Sequence, residues 1–152
     1  MVASARLLDT RAPRDPAAAV LVLHGGASRP DRPEVSPAQL SVLRMVPVAS
    51  RLARAGRGRL AVHRLLNTHR GWDSTHTPVD DVRWALGRVR ERYGDLPVAL
   101  VGHDPHLSAL ASLLVTGKVE PVRFRLRKCA VLRLERSSGG WIVQWQVSPD
   151  LL

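Results

Sequence analysis

A chain of 152 residues holds enough material for one compact domain and too little for two ordinary ones. Its apolar share of 45% suffices for a core, and its longest apolar run, residues 17–23, falls far short of the ~20 residues that a membrane span needs. The net charge of +10 comes almost entirely from arginine, since Lys118 and Lys128 are the only lysines, so the surface attracts anions.

Residues 1–16 are polar, with Arg, Asp and Pro, and read as a flexible arm ahead of a single α/β domain over residues 17–152. Residues 17–23 form the unbroken apolar strand expected where both faces of a parallel sheet are covered. That strand stops at His24-Gly25-Gly26, and the prolines of residues 27–37 make a loop. Ser36-Pro37 has the cap-plus-proline form of a helix start, and Leu40, Leu43, Val46, Ala49 and Ala53 keep helical spacing up to Gly56. Pro47 inside that pattern predicts a kink or two shorter helices. A second strand follows over residues 59–66, then a polar loop over 67–77. Thr77-Pro78 opens a helix with Asp80 and Asp81 in its first turn, where the dipole favours acids, and Gly94 ends it. Residues 97–101 make a third strand ending in Gly102-His103. Asp104-Pro105 then repeats the helix-start signal, with Leu107, Leu110, Ala111 and Leu114 as the buried face. In residues 122–135, Val122, Phe124 and Leu126 alternate with Arg123, Arg125 and Arg127, which predicts a strand; Gly139-Gly140 turns it back into residues 141–147. The architecture predicted is α/β: a three-layer sandwich with a mainly parallel central sheet and a C-terminal antiparallel hairpin.

Two strands end alike, in Leu23-His24-Gly25 and Val101-Gly102-His103. Open parallel sheets bind ligands beyond the carboxyl ends of their strands, where the winding reverses. If these strands are neighbours, His24 and His103 share that crevice. One neutral imidazole attacks phosphorus there while the other, charged, stabilises the equatorial oxygens. Gly25 allows close backbone approach, and the loop residues Arg29 and Arg70 are the candidate phosphate clamp. His63, His69 and His76 include no HxxxH or HExxH spacing, so neither a metal nor a cofactor is expected. Trp141 and Trp145, four apart on a strand, are expected on one face. Cys129, the lone cysteine, excludes a disulfide framework and fits the reducing cytoplasm; no export-signal pattern is seen. With few aromatic residues and no recognised binding module, nucleic acid is not an expected partner; a phosphorylated small molecule or a phosphoprotein is.

Leu100-Val101-Gly102-His103-Asp104-Pro105-His106-Leu107-Ser108, Leu113-Leu114 and Ser148-Pro149 resemble SixA-type phosphohistidine phosphatases of the histidine phosphatase superfamily. The resemblance covers residues 98–152 and implies a metal-independent phosphatase whose second active-site histidine is His103. His24-Gly25 occupies the place of that family's nucleophilic motif, with Leu23 where the family carries arginine; its S-P-x-x-R element is not found. Residues 17–103 resemble bacterial α/β-hydrolase-fold esterases through Val20-Leu21-Val22-Leu23-His24-Gly25-Gly26, Leu43-Arg44-Met45-Val46-Pro47, Arg70-Gly71-Trp72 and Val101-Gly102-His103. That second resemblance implies an oxyanion hole at His24-Gly25-Gly26 and, with Asp104 at the serine position, an Asp nucleophile on an ester or epoxide. The two resemblances meet at residues 98–103, as in a chimera.

Three readings follow. The first is a phosphomonoester or phosphohistidine hydrolase with His24 as nucleophile and His103 as its partner. The second is an esterase or epoxide hydrolase using Asp104 in a strained elbow, a reading that requires the carboxylate not to cap its own helix. The third is a non-catalytic domain that binds anions through Arg123, Arg125 and Arg127.

Overall fold

Alternate residues of one central strand face two different helices, and this organises the first of the chain's two units. In the computed structural model, residues 4–26, 34–70, 77–104, 106–118, 121–127 and 130–148 are described. They divide into two compact units, Met1–Gly102 and His103–Leu152.

The first unit holds a four-stranded sheet in the order β1-β3-β2-β4. Strand β2 (Ala18–Leu23) lies between β3 (Leu60–Leu66) and β4 (Val98–Val101) and is parallel to both. Val20 and Val22 of β2 join Val62 of β3 in a cluster with Met45 and Ala49 of helix α2 (Met45–Ala55). Ala19 and Ala61 instead meet Val89 of helix α3 (Thr77–Tyr93). Successive strand residues point to opposite faces, so α2 and α3 cover opposite sides of the sheet. Residues Ala19 to Leu23 are accordingly 0–5% exposed. The fold is α/β, with a sheet that is parallel in its middle.

Helix α1 (Leu40–Leu43) precedes α2, and the break between them falls at Arg44. Restarting there places Pro47 in the first turn of α2, where its missing N–H leaves no intrahelical bond unmade. The Ser36 hydroxyl accepts the Ala38 N–H at 3.3 Å, but the helix proper begins at Leu40, one turn beyond the predicted start.

The first sixteen residues are not a flexible arm. Residues Arg6–Arg11 form β1, an antiparallel edge strand on β3 that pairs Arg6 with Leu66 and Asp9 with His63. The physical reason is a buried polar group that needs a partner. His63 is 0% exposed, and the Asp9 carboxylate accepts its Nδ1–H at 2.8 Å while taking a second hydrogen bond from Arg92 at 2.8 Å. Polar composition suggested an arm, yet these polar groups are what hold the strand.

In the second unit, helix α4 (His106–Thr116) packs against the hairpin of β5 (Val131–Ser137) and β6 (Gly140–Val147). The hairpin is a separate two-stranded sheet. Residues 122–127 are not part of it, against the expected strand from 122. Their backbone N–H groups turn instead to serines of α4: Ser112 Oγ accepts from Arg123 at 2.8 Å and Phe124 at 3.3 Å, and Ser108 Oγ accepts from Leu126 at 2.9 Å. A bulge opposite Arg133 and Leu134, whose partners are Trp145 and Val143, shifts the side-chain alternation of β6 by one. Trp141 and Trp145 therefore lie on opposite faces, not on one. Cys129 and Lys128 lie outside the described residues. Among the described residues no helix is long and apolar enough to cross a membrane.

Candidate functional site

β2 is the point from which the first unit's parallel sheet is wound both ways. The chain leaves it for β3 on one side and returns, through α3, to β4 on the other. The crevice of such a sheet lies outside the carboxyl ends of β2 and β4. The register sets Val22 beside Val101, so the segment beginning Leu23-His24 and the residue Gly102 leave the same edge of the sheet.

His24 follows β2 directly and is 4% exposed. Its Nδ1 lies 2.9 Å from the Gly25 carbonyl oxygen, and its Nε2 lies 3.2 Å from the backbone N of Asn67. A carbonyl only accepts and a backbone N–H only donates, so the ring is neutral, with its proton on Nδ1 and its lone pair on Nε2. Burial pushes its pKa below the ordinary histidine value, against the opposing pull of the Gly25 carbonyl and the Asp81 carboxylate.

Asn67 is fixed by its position just after β3 and by the residue that follows it. The Thr68 N–H and hydroxyl both donate to the Asp81 carboxylate, each at 2.7 Å. Asp81 is 6% exposed and sits on α3. The sequence suggested a helix-dipole role for both aspartates. Asp80 does remain outside, 3.7 Å from Arg83, but Asp81 turns inward and clamps the turn after β3. Asn67, at 4% exposed, keeps its side-chain oxygen buried without a hydrogen-bond partner. Neither residue was expected at the site from sequence, where Asp81 read only as a helix-dipole acid; the signal was the second acid of an Asp-Asp pair at helix spacing beside an apolar stripe.

Gly26 has φ +154°, and a Cβ there would lie 3.1 Å from Gln39 Nε2. Only glycine lets the chain pass so close to Gln39, which donates to Ser41 Oγ at 2.7 Å. Arg70 donates from Nε to the Glu34 carbonyl at 2.9 Å, and His69 bridges Glu34 through the backbone. These contacts tie the segment before α1 to the one after β3.

Arg29 lies outside the described residues, as do Asp73 and His76. His103 opens the second unit, is exposed, and offers its carbonyl to the Leu107 N–H at 3.3 Å. The Asp104 carboxylate accepts from the Ser108 hydroxyl. Among the described residues, Asp104 is not one of those with positive φ. Among the described residues, no group of three or more His, Cys, Asp or Glu side chains is placed to hold a metal. Comparison with protein-family models, with curated proteins and with solved structures finds no match for this chain.

Proposed function

We propose that this chain is a hydrolase of phosphate monoesters or phosphohistidine, with Nε2 of His24 as the nucleophile. One observation carries the reading: the Gly25 carbonyl holds the proton on Nδ1, leaving the lone pair on Nε2 of a ring that burial keeps neutral. A nucleophilic imidazole requires that tautomer and that charge. In the first step the Nε2 lone pair forms a bond to phosphorus, the bond to the leaving oxygen or nitrogen breaks, and the leaving group departs with a proton from water. The phosphorylated ring still holds its Nδ1 proton and is cationic, a form favoured by the Gly25 carbonyl and the Asp81 charge. Water then attacks phosphorus, the P–N bond breaks, and phosphate leaves as the lone pair returns to Nε2. The Asn67 N–H, 3.2 Å from Nε2 at rest, is displaced when phosphorus approaches. Arg70 is the arginine assigned to the phosphate oxygens. A phosphorylated small molecule or phosphoprotein as substrate and a cytoplasmic location belong to the same proposal.

The test is rapid acid-free quenching of the full chain with 32P-labelled p-nitrophenyl phosphate and with a phosphohistidine peptide. Wild type is expected to retain acid-labile, base-stable label, and His24→Ala to retain none, with turnover lower by about three orders of magnitude. Turnover without label, or undiminished turnover in His24→Ala, overturns the proposal.

A further inference from the structure

The opposite end of the first unit's sheet carries a feature that this reaction does not use. At the amino end of β3, α2 passes into the strand through Gly56, Arg57 and Gly58. Gly56 is closed to larger residues, because a Cβ there would sit 2.6 Å from Leu60 Cγ. Arg57 has φ +47°, the one non-glycine residue in the left-handed region among the described residues. That conformation crowds an L residue's Cβ against its own carbonyl, and neither Asn nor Gly relieves it here. An outlier of this kind, held by its surroundings, points to use of the side chain.

Arg54, Arg59 and Arg11 lie at the same turn. Arg54 lies in the last turn of α2, and the Arg59 carbonyl accepts the Ala17 N–H at 2.8 Å. Arg11 ends β1, with its guanidinium 3.5 Å from where a Gly58 Cβ would sit; Arg14 lies in the link from β1 to β2. All five are exposed, and among the described residues none has an acidic or hydrogen-bonding side-chain partner. The arginines of α3 behave differently: Arg83, Arg88, Arg90 and Arg92 are each ion-paired within the unit. A hollow of about 310 Å³ lies beside the turn, with Ala17, Ala55 and Leu60 as apolar lining and Arg57 and Arg59 beside them.

We infer that this end of the first unit docks an extended acidic peptide segment of a partner protein. A small apolar side chain enters the hollow, and flanking carboxylates engage the guanidinium forks bidentately. Charge complementarity draws such a chain and orients it. A single-stranded nucleic acid calls for aromatic stacking surfaces, and no aromatic residue lines this hollow. The inference stands whether or not His24 is a nucleophile.

Fluorescence anisotropy of the full chain tests it, using a labelled peptide of glutamates around a central leucine and its all-glutamine counterpart. At low salt the glutamate peptide is expected to bind at least about tenfold tighter, with affinity falling as salt rises. Arg54→Ser, Arg57→Gly and Arg59→Ser combined are expected to weaken binding about tenfold or more, whereas Arg83→Ser, Arg88→Ser and Arg90→Ser, removing equal charge from α3, change it by less than about twofold. Arg57→Gly alone is expected to raise Tm by about 3 °C while weakening the peptide, the signature of a residue strained for binding. Equal affinity for the two peptides, equal losses in the two triple variants, or tighter binding of a single-stranded oligonucleotide through the same arginines would overturn it.

Discussion

His24 and Asp9 show two ways in which a single titratable group ties stability to pH. The folded pKa of His24 is depressed, so above the ordinary value of 6.5 the ring is neutral in both folded and unfolded chains. Below 6.5 the unfolded chain takes up a proton that the buried ring refuses, and stability falls until the lowered folded pKa is passed. Chemical denaturation from about pH 8 to about pH 5 should show this slope, and His24→Asn should flatten it. A wild-type profile that is already flat would contradict the buried neutral ring. Asp9 acts in a separate window. Burial raises its pKa, but the hydrogen bonds from Arg92 and His63 outweigh burial and hold it below 3.8, so its contribution is present above 3.8 and fades as pH falls through the lowered value. Replacing Asp9 by Ala leaves the His63 donor sealed without an acceptor and should cost about 1–3 kcal/mol at neutral pH. Equilibrium unfolding of the variant measures that cost directly.

At the level of elements, α4 makes the same point with hydroxyls. Ser112 is 0% exposed; it accepts two backbone N–H groups and donates to the Ser108 carbonyl at 2.9 Å. Ser112→Ala should therefore destabilise the second unit by about 1–3 kcal/mol, and amide exchange at Arg123 and Phe124 should speed up before that of the hairpin. Unchanged exchange at those amides would show that residues 122–127 are held by something else. The sequence pattern was partly right about sides here and wrong about partners: Phe124 and Leu126 are half-buried while Arg123, Arg125 and Arg127 are exposed, but Val122 is exposed as well. Alternation reports which side chains turn inward; it does not report where the backbone N–H groups go, and serines inside a helix carry no apolar signal. The same limit hid β1, whose residues pair for the sake of His63. β2, β3 and β4 were legible because long β-branched and leucine runs bounded by glycine have few other uses. At the candidate site His24 was legible from its place at a strand tip, whereas Asn67 and Asp81 were not, since their roles depend on which loops the sheet brings together.

Over the whole molecule, the boundary between the two compact units falls after Gly102. Two core clusters among the described residues, one with Val101 at its margin, are built from residues of the first unit alone. Residues 1–102 expressed by themselves should therefore unfold cooperatively, with a midpoint close to that of one transition of the full chain; a non-cooperative melt would mean that this core needs the remaining residues. The register of the sheet also governs what happens while the chain is being made. Leu21 finds one neighbour in His63 and the other in Leu100, so the most apolar strand leaves the ribosome long before either flank exists. Until residue 101 has emerged, residues 18–23 remain a sticky, half-matched ribbon. Slow translation or a chaperone across that interval should decide how much of this protein reaches its native state.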